Sequence, residues 1–172
     1  MARLSYVDPV STNPEQARVL GGLTQKSGKI ANIWKLWGHS PHTLETFMAF
    51  YKSLLKGSLD PKLRELAYLK SSLVNNCAYC AEAHKAGGQR AGLREAQIQE
   101  IGNYAESAAY SPLEKLVIRY AEELTRTARS SEEIVAKLTQ SLPEAAIVEL
   151  NLTVGIANLT NRFNMSLLTD MD

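Results

Sequence analysis

Between residues 41 and 55 the apolar side chains Leu44, Phe47, Met48, Tyr51, Leu54 and Leu55 recur at three- and four-residue spacing, the period of one face of an α-helix. The same period runs through most of the chain, punctuated by start and stop signals. Asn13 before Pro14 opens a first helix to about Lys26, with Gly28 near its end. Residues 29–39 read as a short, aromatic-rich turn or helix. Ser40-Pro41 places a capping residue before a proline at the first helical position, and Gly57 closes that helix. Asp60-Pro61 repeats the signal ahead of Leu63, Leu66, Ala67, Leu69, Lys70, Leu73 and Val74, a strongly buried helix that breaks at Asn75-Asn76.

A further helix is expected from about Cys77 to Gly88, with Gly87-Gly88 as its stop. Leu93, Ile98 and Ile101 suggest another, ending near Tyr104. Ser111-Pro112-Leu113-Glu114 is a capping box ahead of Leu116, Val117, Tyr120, Ala121 and Leu124. Ser130-Ser131-Glu132-Glu133 opens a helix through Leu138. Pro143 opens the last, whose residues Ile147, Val148, Leu150, Leu152, Val154, Ile156 and Leu159 are apolar around most of the circumference. That pattern predicts a central position or a subunit interface. No alternating strand and no hairpin turn signal is present, so the fold class expected is all-α, one domain over residues 1–172.

Composition narrows the function classes. A net charge of +1 gives no general attraction to nucleic acid or anionic lipid, so neither is an expected partner. No apolar run reaches the roughly 18 residues a membrane span needs. The N-terminal stretch lacks the apolar core of a signal peptide, and the compartment expected is the cytoplasm. In a reducing compartment, paired cysteines point to chemistry or metal binding rather than to a structural disulfide.

The chain has 2 cysteines, and both fall in Cys77-Ala78-Tyr79-Cys80-Ala81-Glu82-Ala83-His84. On a helix, residues 77, 80 and 84 lie on one stripe, so both sulfurs and the imidazole face one cleft. An i, i+3 pair has Cα atoms roughly 5 Å apart, within disulfide reach. Cys77 is expected in the first helical turn, where unpaired N–H groups favour a thiolate. Glu65, on the preceding helix, comes beside His84 if the two helices pack antiparallel, and there it orients the imidazole and relays a proton. Two other readings fit the cysteines. They can be small core residues, or zinc ligands with His84 and a fourth group. Structural zinc sites usually draw a second ligand pair from elsewhere, and His39 and His42 sit at the Ser-Pro helix start, so no metal and no cofactor is called for.

The run Glu65-x11-Cys77-x2-Cys80-x3-His84, flanked by Arg64-Glu65-Leu66-Ala67 and Lys85-Ala86-Gly87, resembles the core motif of the alkylhydroperoxidase D-like (AhpD-like) proteins of the carboxymuconolactone decarboxylase family. The resemblance is strongest over about residues 40–105. It implies an AhpD-like helical domain with the Cys-x-x-Cys pair at the start of a central helix, assembled as a trimer or a hexamer. It also implies a thiol peroxidase or disulfide reductase. Cys80 is then the peroxidatic nucleophile and Cys77 the more exposed resolving partner. Glu65 and His84 form the proton relay, and a dithiol or lipoyl-bearing protein is the reductant. Tyr79 stands where alkylhydroperoxidase D has a second His. A phenol with a pKa of about 10 is a poorer proton shuttle near neutrality, but it can donate a hydrogen bond to a peroxide oxygen.

Two rival functions share the fold: a lyase or isomerase acting on a small lactone, and a redox sensor whose disulfide alters a partner surface. Trp34, Trp37, Phe47 and Tyr51 either wall an apolar cleft or pack in a core or subunit contact. Asn158, Asn161, Arg162 and Asn164 give the last helix a polar stripe that either borders the thiol site, pairs across subunits or is a solvated helix end.

Overall fold

The computed structural model describes residues 1–10 and 12–172, with all their side chains except those of 24–27. The described residues form nine α-helices and one 3-10 turn, and no strand. They divide into two compact units, Met1–Lys56 with Asn164–Asp172, and Gly57–Phe163.

The first unit holds α1 (Pro14–Ser27), α2 (Asn32–Trp37) and α3 (Pro41–Leu55). Asn13 caps α1 as its sequence position implies: its Oδ1 accepts the Glu15 and Gln16 N–H groups at 3.0 and 3.2 Å. Gly28 follows at φ +70, the left-handed conformation that ends a helix cheaply only at glycine. Val7, Val19, Leu20, Ile30 and Leu44 make the core of this unit, and Trp34, Trp37 and Met48 pack against it. The aromatic residues form a ladder, Trp37 stacked on Phe47 at 4.5 Å and Phe47 on Tyr51 at 6.0 Å between ring centroids.

The second unit is built around α4 (Pro61–Val74). Leu66, Ala67 and Leu69 on α4 have no exposed surface. Asp60 caps it by accepting the Lys62 N–H at 2.7 Å. Helix α4 packs on α5 (Ala78–Arg90) and on α7 (Pro112–Thr127). The lysine on its buried stripe, Lys70, is satisfied by Glu122 at 3.3 Å and by the Tyr104 ring, 4.7 Å from its ammonium. Between α5 and α7 lie the short α6 (Glu95–Gln99) and the 3-10 turn Glu100–Asn103. The Ser111 capping box forms in both directions. Helices α8 (Glu132–Ser141) and α9 (Glu144–Leu167) complete the set.

The expected stop at Gly87-Gly88 is corrected. Both glycines lie inside α5, which continues to Arg90. The stop is Gly92, at φ +91, where the Leu93 N–H bonds the Gly88 carbonyl at 2.8 Å and the Gly92 N–H bonds the Gln89 carbonyl at 3.1 Å. That is the paired hydrogen-bond pattern of a left-handed helix end. Gly88 is small because the Leu93 side chain folds back onto it, with Cδ1 only 2.6 Å from where a Cβ would sit.

Helix α9 buries one stripe, including Ala146, Leu150, Val154, Ala157 and Asn161. Its other side keeps Val148 58% and Leu159 48% exposed, so the apolar circumference read from the sequence resolves into a core face and an open apolar face.

Candidate functional site

The thiol pair sits just beyond a helix end built by Asn75 and Asn76. Asn76 takes φ +57, which asparagine tolerates better than most side chains. The Cys77 N–H then bonds the Ser72 carbonyl at 2.9 Å and the Asn76 N–H bonds the Leu73 carbonyl at 3.1 Å. This ties Cys77 back onto α4 while the chain reverses into α5. Cys77 is therefore the N-cap of α5 rather than a first-turn residue. Its Sγ accepts the Cys80 N–H at 3.4 Å, so the sulfur meets a first-turn helix N–H directly. Cys77 and Cys80 are joined in a disulfide with their Cα atoms 5.4 Å apart.

Exposure does not separate the two cysteines: Cys77 is 2% and Cys80 3% exposed. The expectation of a more exposed Cys77 is corrected, and the cause is the backbone tie to Ser72, which turns residue 77 inward. Tyr79 is the second residue of α5 and is half-buried.

One turn beyond Cys80, His84 meets Glu65 of α4, with Nδ1 and Oε2 2.8 Å apart. A carboxylate accepts, so Nδ1 carries the proton and Nε2 of the neutral ring is left with its lone pair. The two side chains are each 15% exposed, enough for a small molecule or water to reach them while the sulfurs stay covered. The helix pairing inferred from the twelve-residue offset between Glu65 and Cys77 is thus present.

Two partners of this pair were not anticipated. Tyr68, one turn beyond Glu65 on α4, stacks on the His84 ring with centroids 3.4 Å apart and planes 14° from parallel. Its hydroxyl lies 2.5 Å from Thr160 Oγ1 of α9. Gly87 leaves the space into which the Glu65 carboxylate fits. Nothing local to α4 singles out Tyr68, a buried aromatic among apolar neighbours; its part in the site is the contact it makes with His84 on α5.

Two residues of the polar stripe on α9, Asn158 and Asn161, border the turn into the thiol site. Asn161 has no exposed surface; it accepts from Asn75 Nδ2 at 2.9 Å and donates to Ser72 Oγ at 3.2 Å. Asn158 accepts from Asn75 at 3.0 Å and from Arg162 at 2.6 Å, and donates to Thr125 at 3.3 Å. Thr125 in turn donates to Ser71 at 3.1 Å. The network holds the turn that delivers Cys77. Asn164 lies in the first unit, where it accepts from the Thr169 hydroxyl at 2.8 Å.

The other histidines have local partners at the start of α3: His39 Nε2 with the Ser5 carbonyl at 2.8 Å, and His42 Nε2 with Glu15 at 3.1 Å. Among the described residues, no group of three or more His, Cys, Asp or Glu side chains is arranged to hold a metal ion. Among the same residues, no helix is long and apolar enough to cross a membrane.

Residues 41–123, which contain the whole thiol motif, match the carboxymuconolactone decarboxylase family. The chain is similar to the uncharacterised protein YdfG of Bacillus subtilis (strain 168), 25% identical over 130 residues that make up 74% of this chain and 88% of that one. Its fold is similar to an alkylhydroperoxidase AhpD core, a peroxidase-related protein of Ralstonia eutropha JMP134. The TM-score is 0.85 at 18% identity, over 99% of this chain and 92% of that one. It is also similar to the debrominase Bmp8 in complex with 2,3,4-tribromopyrrole, with a TM-score of 0.81 at 19% identity, over 100% of this chain and 94% of that one. The family match over residues 41–123, the thiol motif inside it and the shared all-helical architecture support an AhpD-like protein of the carboxymuconolactone decarboxylase family.

Proposed function

We propose that the chain is a thiol-dependent peroxidase that reduces hydroperoxides through a Cys77–Cys80 dithiol–disulfide cycle. The observation that carries this reading is the conjunction of a disulfide-linked pair with a carboxylate–imidazole contact of 2.8 Å one helical turn away. Buried core cysteines need no such neighbour. A lactone lyase or isomerase would use Glu65 and His84 but would not need the two sulfurs within bonding reach. The debrominase relative shows that the fold hosts other chemistry, so the thiol pair must carry the argument here.

In the cycle, His84 Nε2 takes the proton from the Cys80 thiol. The thiolate attacks the nearer peroxide oxygen and the O–O bond breaks. Cys80 becomes a sulfenic acid, and the departing alkoxide receives the proton back from His84 and leaves as the alcohol. The Cys77 thiol then condenses with the sulfenic acid, forming the disulfide and releasing water. A dithiol, small or carried on a lipoyl arm, restores both thiols by exchange and leaves as its own disulfide. The low exposure of both sulfurs favours a slender reductant. Tyr79, on the turn between the cysteines, is the candidate to donate a hydrogen bond to the bound peroxide.

Replacing either cysteine with serine is expected to abolish hydroperoxide turnover driven by a dithiol. Full turnover in both single variants would exclude the mechanism. A Cys77→Ser protein that retained full activity on a lactone substrate would instead support the acid–base reading. We also propose that the protein is a homo-oligomer, trimer or hexamer, closed over the apolar face of α9 formed by Val148, Leu152, Gly155 and Leu159. A sedimentation coefficient of a monomer at micromolar concentration would refute this.

A further inference from the structure

We infer that Gly87 is a positioning residue for the proton relay: the side chain it lacks is what allows the Glu65 carboxylate to lie against His84. This deepens the peroxidase reading and rests on that reading for its kinetic readout.

Glycine in the interior of a helix is unfavourable, so its presence at residue 87 needs a cause. Backbone conformation is not that cause. The positive-φ glycines are Gly28 and Gly92, and Gly87 has the ordinary backbone of α5. Space is the cause. A Cβ at position 87 would sit 2.6 Å from Glu65 Oε2, 3.0 Å from its Cδ and 3.3 Å from Oε1. Oε2 is the atom that meets His84 Nδ1. Residues 84 and 87 are three apart on α5 and share a face, so the carboxylate enters between the imidazole and the bare backbone of residue 87. A methyl group there displaces the most movable neighbour, the end of the Glu65 side chain, and so acts on the one bond that orients the imidazole. By contrast, Gly22 within α1 has no neighbour within 4 Å of its Cβ position.

The test is a double-mutant cycle of Gly87→Ala with Glu65→Ala, read in two ways, with Gly22→Ala as the control for a helix-interior glycine. Spectroscopically, an imidazole N–H bonded to a carboxylate gives a downfield, slowly exchanging proton resonance. The inference requires it in the wild type and in Gly22→Ala, and its loss in Gly87→Ala. Its persistence in Gly87→Ala would overturn the inference whether or not the protein reduces peroxides. Kinetically, Gly87→Ala should slow the loss of Cys80 thiol after one equivalent of hydroperoxide by about tenfold or more, a modest part of an acid–base contribution. In the Glu65→Ala background it should change that rate less than twofold. Equal slowing in both backgrounds would show that Gly87 acts elsewhere.

Thermal stability closes the cycle. With the carboxylate gone, Gly87→Ala should raise Tm, because alanine is the better helix former. If Gly87→Ala alone fails to fold, the double variant must fold; its failure would also overturn the inference. A wild type that does not react with hydroperoxide removes the proposed function but leaves the spectroscopic arm decisive for Gly87.

Discussion

At the scale of single residues, the site is a matter of how His84 is held. Glu65 fixes Nδ1 at 2.8 Å and Tyr68 lies flat on the ring at 3.4 Å between centroids, so the imidazole has one bond and one face constraining its tilt. The ring supplies the face, while the hydroxyl anchors the ring to Thr160. The Tyr68→Phe variant keeps the face. Thr160 still donates to the Ile156 carbonyl at 2.9 Å, so no polar atom is stranded. Tyr68→Phe should therefore retain the wild-type rate of thiol oxidation within about twofold, and Tyr68→Leu, which removes the stacked face, should lose about tenfold. Stopped-flow measurement on the three proteins decides it, and a wild-type rate in Tyr68→Leu contradicts the argument. The four motif residues were legible because their spacing is unusual. Tyr68 and Gly87 were not, because each looks ordinary locally: an aromatic on an apolar stripe, and half of a Gly-Gly pair that reads as a helix stop. What marks them is contact across two helices, which local spacing does not report.

At the scale of elements, the helices were readable wherever a cap accompanied the period. Asn13, Asp60 and Ser111 all accept the backbone N–H groups their positions imply. The errors fell where glycine had two explanations, as at Gly87-Gly88, and where a helix end displaced Cys77 by one position to the N-cap. The polar stripe of α9 left three readings open in the sequence, and two of its members, Asn158 and Asn161, lie against Asn75 at the turn into α5. Asn161 links Asn75 and Ser72, the residues that form the end of α4 and its turn into α5. Replacing Asn161 with leucine strands part of that network in a dry environment. It should cost about 1–3 kcal/mol, read as a lower urea midpoint with an unchanged m-value. A midpoint equal to that of the wild type would show that the network carries no stability.

At the scale of the whole molecule, charge sets the working range. Glu122 illustrates the balance: burial pushes its carboxyl up, but Arg126, Lys70 and Tyr104 outweigh burial and hold it below the usual glutamate range. Glu114 behaves alike, burial opposed by the Ser111 cap, Gln97 and Lys62. Glu149 is lowered chiefly by the Leu59 N–H. Groups depressed in the folded state stabilise it above their unfolded pKa, and that stability is lost as the pH falls through the folded value. Urea midpoints should accordingly be flat near neutrality and fall below roughly pH 4. Glu122→Gln should flatten that acid limb, and an unchanged limb would contradict the assignment.

Cys77 and Cys80 are proposed as a peroxidatic pair served by Glu65 and His84. The most direct measurement is to reduce the protein, add one equivalent of hydroperoxide, and count free thiols over time. Expected are rapid loss of both thiols, an intramolecular disulfide that a dithiol reverses, and a rate about a hundredfold slower in Glu65→Gln. Thiols that persist, or that disappear only over hours, would contradict the proposal.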